Sequence, residues 1–188
     1  MGDFRIVVVC TANICRSPMA EAMLRHGLRA GGADGVVVES AGVYGHEGSP
    51  IAPGSAAALR ALGIEDDGHR GRLLTPAIVA AADLVLTMEE GHRQAILTGS
   101  PEARDRTFAL REFARSAGGA AAPSGDAAAR ARALVRSAAR RRTDLPWVGV
   151  DDVPDPYGGP SEGYHACAAL ILREVGTLLR PLLSPTRS

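Results

Sequence analysis

Lysine is absent from this chain of 188 residues, so arginine supplies all 21 basic side chains. Asp and Glu also number 21, and only 4% of the residues are aromatic. A chain with no net charge and few aromatic side chains gives no reason to expect nucleic-acid binding. No apolar run reaches the roughly 18 residues of a membrane-spanning helix. The N-terminus also lacks a basic segment followed by an apolar core and a cleavage site. We therefore expect no transmembrane segment and a cytoplasmic location.

Cysteine is scarce as well, with one residue each at Cys10, Cys15 and Cys167. Three cysteines do not form a disulfide framework, and a reducing compartment is the default for such a chain. Three of the histidines have no metal-ligand spacing (His26, His92 and His165). The sequence therefore predicts neither a metal site nor a cofactor, and it predicts that Cys167 packs in the core.

Apolar runs alternate with segments of helical periodicity along the chain. The apolar runs predict strands at residues 4–9, 36–40, 83–88 and, more weakly, 107–110. A helix is expected after each of the first three, the first of them capped by Ser17 with Pro18 behind it. A last helix is predicted over residues 161–179. This alternation is typical of an α/β fold with a parallel sheet.

Residues 114–146 differ from the rest because they are rich in Ala, Gly and Arg. This segment contains seven arginines but only two aspartates. Asp126 can cap a helix reaching about Arg142, but its apolar stripe is thin. One interpretation is a solvated or partly disordered insertion. The other is a docking surface for acidic partners or anionic lipid.

The motif with the clearest chemistry follows the first strand. Cys10 ends the apolar run, Arg16 comes after five intervening residues, and Ser17 and Pro18 begin a helical pattern. A loop between a strand and a helix N-terminus turns its backbone N–H groups toward an anion. A thiolate at the start of such a loop and a guanidinium at its end suit covalent chemistry on a phosphate monoester. The alternative is a buried structural cysteine.

The proposed reaction has two steps, in which Cys10 attacks phosphorus and water then hydrolyses the phosphocysteine. Arg16 and the loop amides would hold the equatorial oxygens, and Ser17 could donate a hydrogen bond to the sulfur. The departing oxygen needs a general acid. Asp155 is the candidate because Pro154 and Pro156 fix it in a rigid loop. The alternative for Asp155 is a plain Pro-Asp turn.

Together these motifs resemble the low-molecular-weight protein tyrosine phosphatase family. The resemblance rests on residues 9–18, on Ser40-Ala41-Gly42 and on Asp155-Pro156-Tyr157. It implies one phosphatase domain over residues 1–188, with the segment 114–146 as an insertion. The implied fold is a four-stranded parallel sheet flanked by helices on both faces. The implied activity is phosphotyrosine hydrolysis on a protein or peptide without a metal, by a monomer or weak dimer.

The resemblance also implies roles for individual residues. Cys10 is the nucleophile, Arg16 the phosphate clamp and Asp155 the general acid. Asn13 braces the loop through Ser40 and His69. The phosphate-binding loop comprises Thr11, Ala12, Asn13, Ile14, Cys15, Arg16 and Ser17.

Three further positions follow from the family pattern. Cys15 is implied as a redox partner that protects Cys10 through a disulfide; the alternative is a small residue that fits the loop. The substrate ring would lie between Tyr157 and a residue after Gly42, where His46 is nearer the matching position than Tyr44. The family usually has glycine in place of Ala12, and alanine is strained there if that position needs a positive φ.

Three other functions remain as alternatives. Arsenate reductase chemistry needs two further cysteines, whereas only Cys167 follows Cys15. Protein-arginine phosphatases have threonine after the loop asparagine, where this chain has Ile14, whose apolar surface suits an aryl ring. A non-catalytic phosphate-binding module would be expected to lack Cys10, Arg16 or Asp155.

Overall fold

A computed structural model gives the fold, and it describes residues 2–117, 124–142 and 151–183. Four strands form one parallel sheet in the order β2-β1-β3-β4. The strands are β1 (Phe4–Cys10), β2 (Val36–Gly42), β3 (Leu84–Thr87) and β4 (Thr107–Ala109). The helices are α1 (Arg16–Ala30), α2 (Pro53–Ala61), α3 (Pro76–Ala81), α4 (Glu90–Gly99), α5 (Leu110–Ala117), α6 (Ala127–Arg141) and α7 (Ser161–Leu183), with a 3₁₀ helix at Pro101–Arg106.

Helices cover both faces of the sheet because alternate residues of β1 point to opposite sides. Ile6 and Val8 belong to the larger core, with residues of α1, α2, α5, α6 and α7. Val7 and Val9 belong to a smaller core, with residues of α3, α4 and the 3₁₀ helix. A central strand buried on both faces reads as a nearly continuous apolar run. The predicted four-stranded α/β fold is confirmed.

The start of α1 differs from the prediction. Ser17 does not cap the helix, which begins at Arg16 with Cys15 at the cap position and no side-chain cap bond. The Ser17 hydroxyl lies fully buried beside the Cys10 sulfur. A local capping preference is worth about 1 kcal/mol, and here the hydroxyl serves a long-range network instead.

Helix α6 is packed, so the prediction of a solvated segment is wrong over residues 127–141. Asp126 caps it by accepting a hydrogen bond from the Ala129 amide at 2.7 Å. Leu134 is 1% exposed and lies in the larger core. Because alanine side chains are small, α6 can approach its neighbours closely, and a narrow apolar stripe is then enough to pack the helix against the core. Residues 118–123 and 143–150 of the predicted insertion lie outside the described residues.

Helix α7 runs to Leu183 and keeps most of its predicted face buried, except Leu172, which is partly exposed. Within the described ranges, no helix combines the length and apolarity needed to cross a bilayer.

Candidate active site

Strand β1 places Cys10 at the carboxyl edge of the sheet, in the middle of its four strands. The crevice at this edge is where open α/β sheets bind ligands. The Cys10 side chain is buried, and its Sγ lies 3.0 Å from the Ser17 hydroxyl. Residues 10–16, here called the Cys10 loop, connect the strand to α1.

The Cys10 loop turns at Asn13, whose φ is +58°. Asparagine adopts this left-handed conformation more readily than most residues. Ala12 is not among the positive-φ residues, so its methyl group meets no backbone strain. Alanine at this position therefore does not require a left-handed backbone conformation.

The Asn13 side chain is fully buried and uses both ends. Its Nδ2 donates to the hydroxyls of Ser17 at 2.9 Å and Ser40 at 2.8 Å, and its Oδ1 accepts from the Arg72 amide. Asn13 donates to the Ser17 oxygen, which leaves the Ser17 proton free to point at the Cys10 sulfur. When Cys10 is a thiolate, Ser17 is the donor of this contact, because a thiolate has no proton to give.

A second layer holds this arrangement in place. Ser40 donates to the Glu21 carboxylate, and His69 Nε2 donates to the Asn13 carbonyl at 2.8 Å. Burial by itself would raise the pKa of Glu21, but contacts with His69 and Ser40 and the charge of Arg25 hold it below its usual range. Ser40 and His69, the two residues predicted to contact Asn13, are therefore in contact with it.

Arg16 is 1% exposed, and its guanidinium lies between two carboxylates. Nη1 donates to Glu89 and to the Val153 carbonyl, and Nη2 donates to Asp155 Oδ2 at 2.6 Å. Burial alone would lower the pKa of Arg16, but Glu89 and Asp155 outweigh it and hold it above its usual value. Its buried Nε has no hydrogen-bond partner among the described residues.

Asp155 reaches the site on a segment of residues 153–159, here called the Asp155 loop. Its first end is anchored where Val153 N donates to the Met88 carbonyl at 2.7 Å, just after β3. The Asp155 carboxylate also accepts from the Tyr157 amide at 3.1 Å. Asp155, though distant in sequence from Cys10 and Arg16, thus borders the same space as they do.

That space is an open pocket of about 230 Å³. It is lined by Cys10, Thr11, Ala12, Ile14, Cys15, Arg16, His46, Asp155 and Tyr157. Both predicted ring walls, His46 and Tyr157, are in this set, whereas Tyr44 is not. Asn13 and Ser17 lie behind the pocket, where they support its floor.

A family model described as low molecular weight phosphotyrosine protein phosphatase matches residues 5–126. The chain belongs to this family. A protein-arginine-phosphatase of Geobacillus stearothermophilus is 34% identical over 163 residues, which are 87% of this chain and 85% of the relative. A low molecular weight protein-tyrosine-phosphatase of Streptomyces coelicolor is 33% identical over 89% of this chain and 87% of the relative.

Solved structures agree with this assignment. The arginine phosphatase YwlE of Geobacillus stearothermophilus has a TM-score of 0.70 at 32% identity, covering 93% of this chain and 90% of that one. A low molecular weight protein tyrosine phosphatase of T. tengcongensis has a TM-score of 0.70 at 29% identity, covering 94% and 98%.

This low molecular weight phosphatase has three site residues that the sequence did not reveal. Glu89 binds Arg16, Glu21 binds Ser40, and His92 Nε2 lies 2.9 Å from the Thr11 hydroxyl. His92 is buried, and burial lowers its pKa. Only Glu89 carries a sequence signal, since it follows β3 at the edge where sites form. Glu21 and His92 lie on helices, and their partners are far away in sequence.

The two cysteines other than Cys10 have the character of neutral thiols. Burial raises the pKa of Cys15 to about 11 and that of Cys167 to about 12. Cys15 lines the pocket, while Cys167 lies in the larger core. Among residues 2–117, 124–142 and 151–183, no group of His, Cys, Asp and Glu side chains has the arrangement of a metal site.

Proposed function

We propose that this phosphatase hydrolyses phosphotyrosine in proteins or peptides through a phosphocysteine intermediate. The observation that carries the choice of substrate is the apolar side chain of Ile14, which lines the pocket together with Tyr157 and His46. An aryl ring gains from apolar contact on its faces. Thr11, Ala12 and Cys15 complete the wall of the pocket around Cys10 and Arg16.

In the first step the Cys10 thiolate attacks phosphorus, and the P–O bond to the tyrosine oxygen breaks. The hydrogen bond from Ser17 stabilises the thiolate. Arg16 and the amides of the Cys10 loop bind the equatorial oxygens, on which the transition state spreads its charge. A phosphate dianion competes with Asp155 for the guanidinium of Arg16. The released carboxylate takes up a proton from solvent, and the resulting carboxylic acid protonates the departing oxygen.

In the second step water attacks the phosphocysteine, and the P–S bond breaks. Asp155 accepts the proton of the attacking water, which reverses its part in the first step. Ser17 again stabilises the sulfur as it leaves. Inorganic phosphate is the product, and the Cys10 thiolate is restored.

The catalytic roles are tested with 4-nitrophenyl phosphate at mildly acid pH. Cys10→Ser should remove turnover of this substrate. Asp155→Ala should lower turnover of phenyl phosphate, whose leaving group is poor, by about 10²–10⁴-fold. Tight phosphate binding without any turnover by the wild type would instead favour a non-catalytic binding module. Undiminished turnover by Cys10→Ser would refute the mechanism.

Phosphoarginine is the second candidate substrate, favoured by the arginine phosphatase at 34% identity. Matched peptides carrying phosphotyrosine or phosphoarginine separate the two, with Ile14→Thr as the diagnostic variant. We expect the wild type to prefer phosphotyrosine and Ile14→Thr to shift that preference toward phosphoarginine. An unchanged preference in the variant would refute the argument from Ile14.

We also infer that Cys15 protects Cys10 from over-oxidation. Peroxide converts the Cys10 thiolate to a sulfenic acid, and the Cys15 thiol displaces water from it to form a disulfide. After peroxide treatment long enough to carry an unprotected cysteine beyond the sulfenic acid, thiol reagents should restore activity in the wild type but not in Cys15→Ser. Equal recovery in both would contradict the role of Cys15.

The remaining expectations stay predictions: the boundaries 1–188 with an insertion at 114–146, a monomer or weak dimer, and a cytoplasmic location. Five of the seven arginines in residues 114–146 bind within the chain: Arg115, Arg130, Arg132, Arg141 and Arg142. Arg136 and Arg140 are exposed. An acidic partner would therefore meet these two.

A further inference from the structure

Tyr164 lies in the larger core, where packing requires an apolar ring but no hydroxyl. It lies on the buried face of α7 and is 8% exposed. Its hydroxyl accepts a hydrogen bond from the Gly158 amide at 3.2 Å. Gly158 belongs to the Asp155 loop, so this buried hydroxyl contacts the segment that carries the general acid.

The bonded amide lies at the centre of a tight turn. Gly159 N donates to the Pro156 carbonyl at 3.0 Å, and Gly158 has a φ of +75°, which glycine adopts without strain. Among the described contacts, the Tyr164 hydroxyl is the acceptor of the Gly158 amide, and no backbone carbonyl accepts from it. Tyr164 therefore fixes the second end of the Asp155 loop, whose first end is fixed by Val153 on Met88.

The ring of Tyr164 is itself held by α2. A Cβ placed on Gly54 would lie 2.7 Å from the ring carbon Cδ2, so the ring lies flat against the backbone of α2. The residue that precedes α2, Ala52, donates its amide to the Ile14 carbonyl at 2.7 Å. A continuous set of contacts thus joins the Cys10 loop, the start of α2, Tyr164 and the Asp155 loop.

We propose that Tyr164 is a positioning residue that holds the Asp155 carboxyl at a fixed height over the Cys10 loop. The proposal rests on the proposed function, in which Asp155 protonates the leaving group. Tyr164 does not line the pocket, so its effect must pass through the Asp155 loop. An effect through Asp155 depends on the leaving group, whereas an effect through the ring wall Tyr157 would weaken both aryl esters alike. Its loss should matter only when the leaving group needs a proton.

The test compares kcat/KM on two aryl phosphates, phenyl phosphate and 2,4-dinitrophenyl phosphate, whose leaving group departs without a proton. This constant covers substrate binding and transfer onto Cys10. Tyr164→Phe keeps the ring and removes the hydroxyl. We expect it to lose about three- to tenfold on phenyl phosphate, the value of one neutral hydrogen bond, and less than about twofold on the dinitrophenyl ester.

Two reference variants make the result decisive. Asp155→Ala must show the same dependence on the leaving group in stronger form; if it does not, the proposed function fails, whatever Tyr164 does. Thr177→Ala removes a hydroxyl from the same helix, where it bonds only to the Arg173 carbonyl, and should match the wild type on both substrates. If Asp155→Ala responds but Tyr164→Phe loses equally on both substrates, or on neither, the positioning role is overturned.

Gly54→Ala tests the contact with α2 independently. The added methyl group must displace the ring, and with it the hydroxyl, so the single variant should lose selectively on phenyl phosphate. In the Tyr164→Phe background the same change should add no further selective loss, because the hydroxyl is already gone. Selective losses that multiply in the double variant would refute a common path through the Tyr164 hydroxyl.

Discussion

Arg16 is the largest side chain that the described residues bury completely. A buried cation is costly unless charged partners surround it. Glu89 and Asp155 supply those partners, yet only Asp155 has a proposed part in the chemistry. We therefore infer that Glu89 keeps the guanidinium in place when Asp155 acts on the substrate.

We predict that Glu89→Gln lowers kcat/KM by about tenfold or more, because small displacements of a positioning group are costly in catalysis. Glu90→Gln is the matched control, since Glu90 pairs with Arg93 on the outer surface of α4. The measurement is steady-state hydrolysis of 4-nitrophenyl phosphate by both variants. Equal activity of the two would show that Glu89 does not hold Arg16 in a productive position.

His92 makes stability depend on pH. Burial lowers its pKa in the folded protein below the value near 6.5 expected in the unfolded chain. The unfolded chain then binds more protons below about pH 6.5, so the contribution of neutral His92 is intact above that pH and is lost as pH falls through the lowered pKa.

The free energy of unfolding should therefore fall between about pH 7.5 and about pH 5.5, and less so in His92→Gln. Urea unfolding at both pH values measures the difference. His26→Gln, at an exposed site on α1, should behave as the wild type. An identical pH dependence in His92→Gln would exclude His92 as its source.

Sequence reasoning at the level of residues named three side chains that the structure brings to one pocket, and their catalytic roles stay predictions. Cys10 and Arg16 stand in a fixed spacing between a strand and a helix, and Asp155 lies between two prolines. Glu21 and His92 were missed because each is an ordinary polar residue of a helix. Their partners are set by how α1 and α4 pack, which no local spacing encodes.

At the scale of elements, α6 is the feature that the sequence described least well. Its stripe of alanines looks too thin to pack, yet Leu134 and Ala138 are buried against the larger core. Arg142 follows the helix and fixes its end by bonding Glu112 and lying 4.0 Å from the centre of the Phe108 ring. Arg142, one of the arginines that suggested a solvated surface, therefore contacts Glu112 and Phe108 within the folded chain.

We predict that Leu134→Ala destabilises the protein by about 2–4 kcal/mol, the usual cost of a cavity in a packed core. The exposed Arg136→Ala on the same helix should change stability by less than about 0.5 kcal/mol. Denaturant unfolding of both variants measures these values. A negligible effect of Leu134→Ala would mean that α6 does not belong to the cooperative core.

The strands were predictable because β1 and β3 are buried on both faces, which leaves a continuous apolar run. The start of α1 was predicted wrongly, because Ser17 followed by Pro18 has the residue types of a helix cap although the helix begins at Arg16. The hydroxyl instead bonds the Cys10 sulfur, a contact that exists only once the Cys10 loop has folded. The local capping rule failed here because the Ser17 hydroxyl contacts the Cys10 sulfur and is not used to cap α1.

For the molecule as a whole, the site is continuous with the core. Arg16 lines the pocket and is 1% exposed, and Asn13 and Ser17 behind it are fully buried. An anion bound in the Cys10 loop would therefore contact a guanidinium that is embedded in the folded protein. The unfolded chain offers no such site. Anion binding should therefore raise global stability and not only order a surface loop.

We predict that inorganic phosphate at 100 times its Kd stabilises the protein by about 2.7 kcal/mol, a shift of about 5–10 °C in Tm for this size. Arg16→Lys should lose most of the shift, since lysine lacks the forked donors. Thermal melts with phosphate, and with sodium chloride at equal ionic strength, measure the effect. The same shift in sodium chloride would mean general screening rather than a specific site.

The closing helix α7 has a consequence for how the enzyme is made. It packs along α1, where a Cβ on Gly27 would lie 2.3 Å from Leu179 Cδ1, and it covers apolar surface presented by the earlier elements. The phosphate cup is encoded near the beginning of the chain, but the proton donor and this cover are encoded near its end. A nascent polypeptide synthesised only as far as residue 150 would thus carry Cys10 and Arg16 without Asp155 and without α7, and we expect it to be inactive.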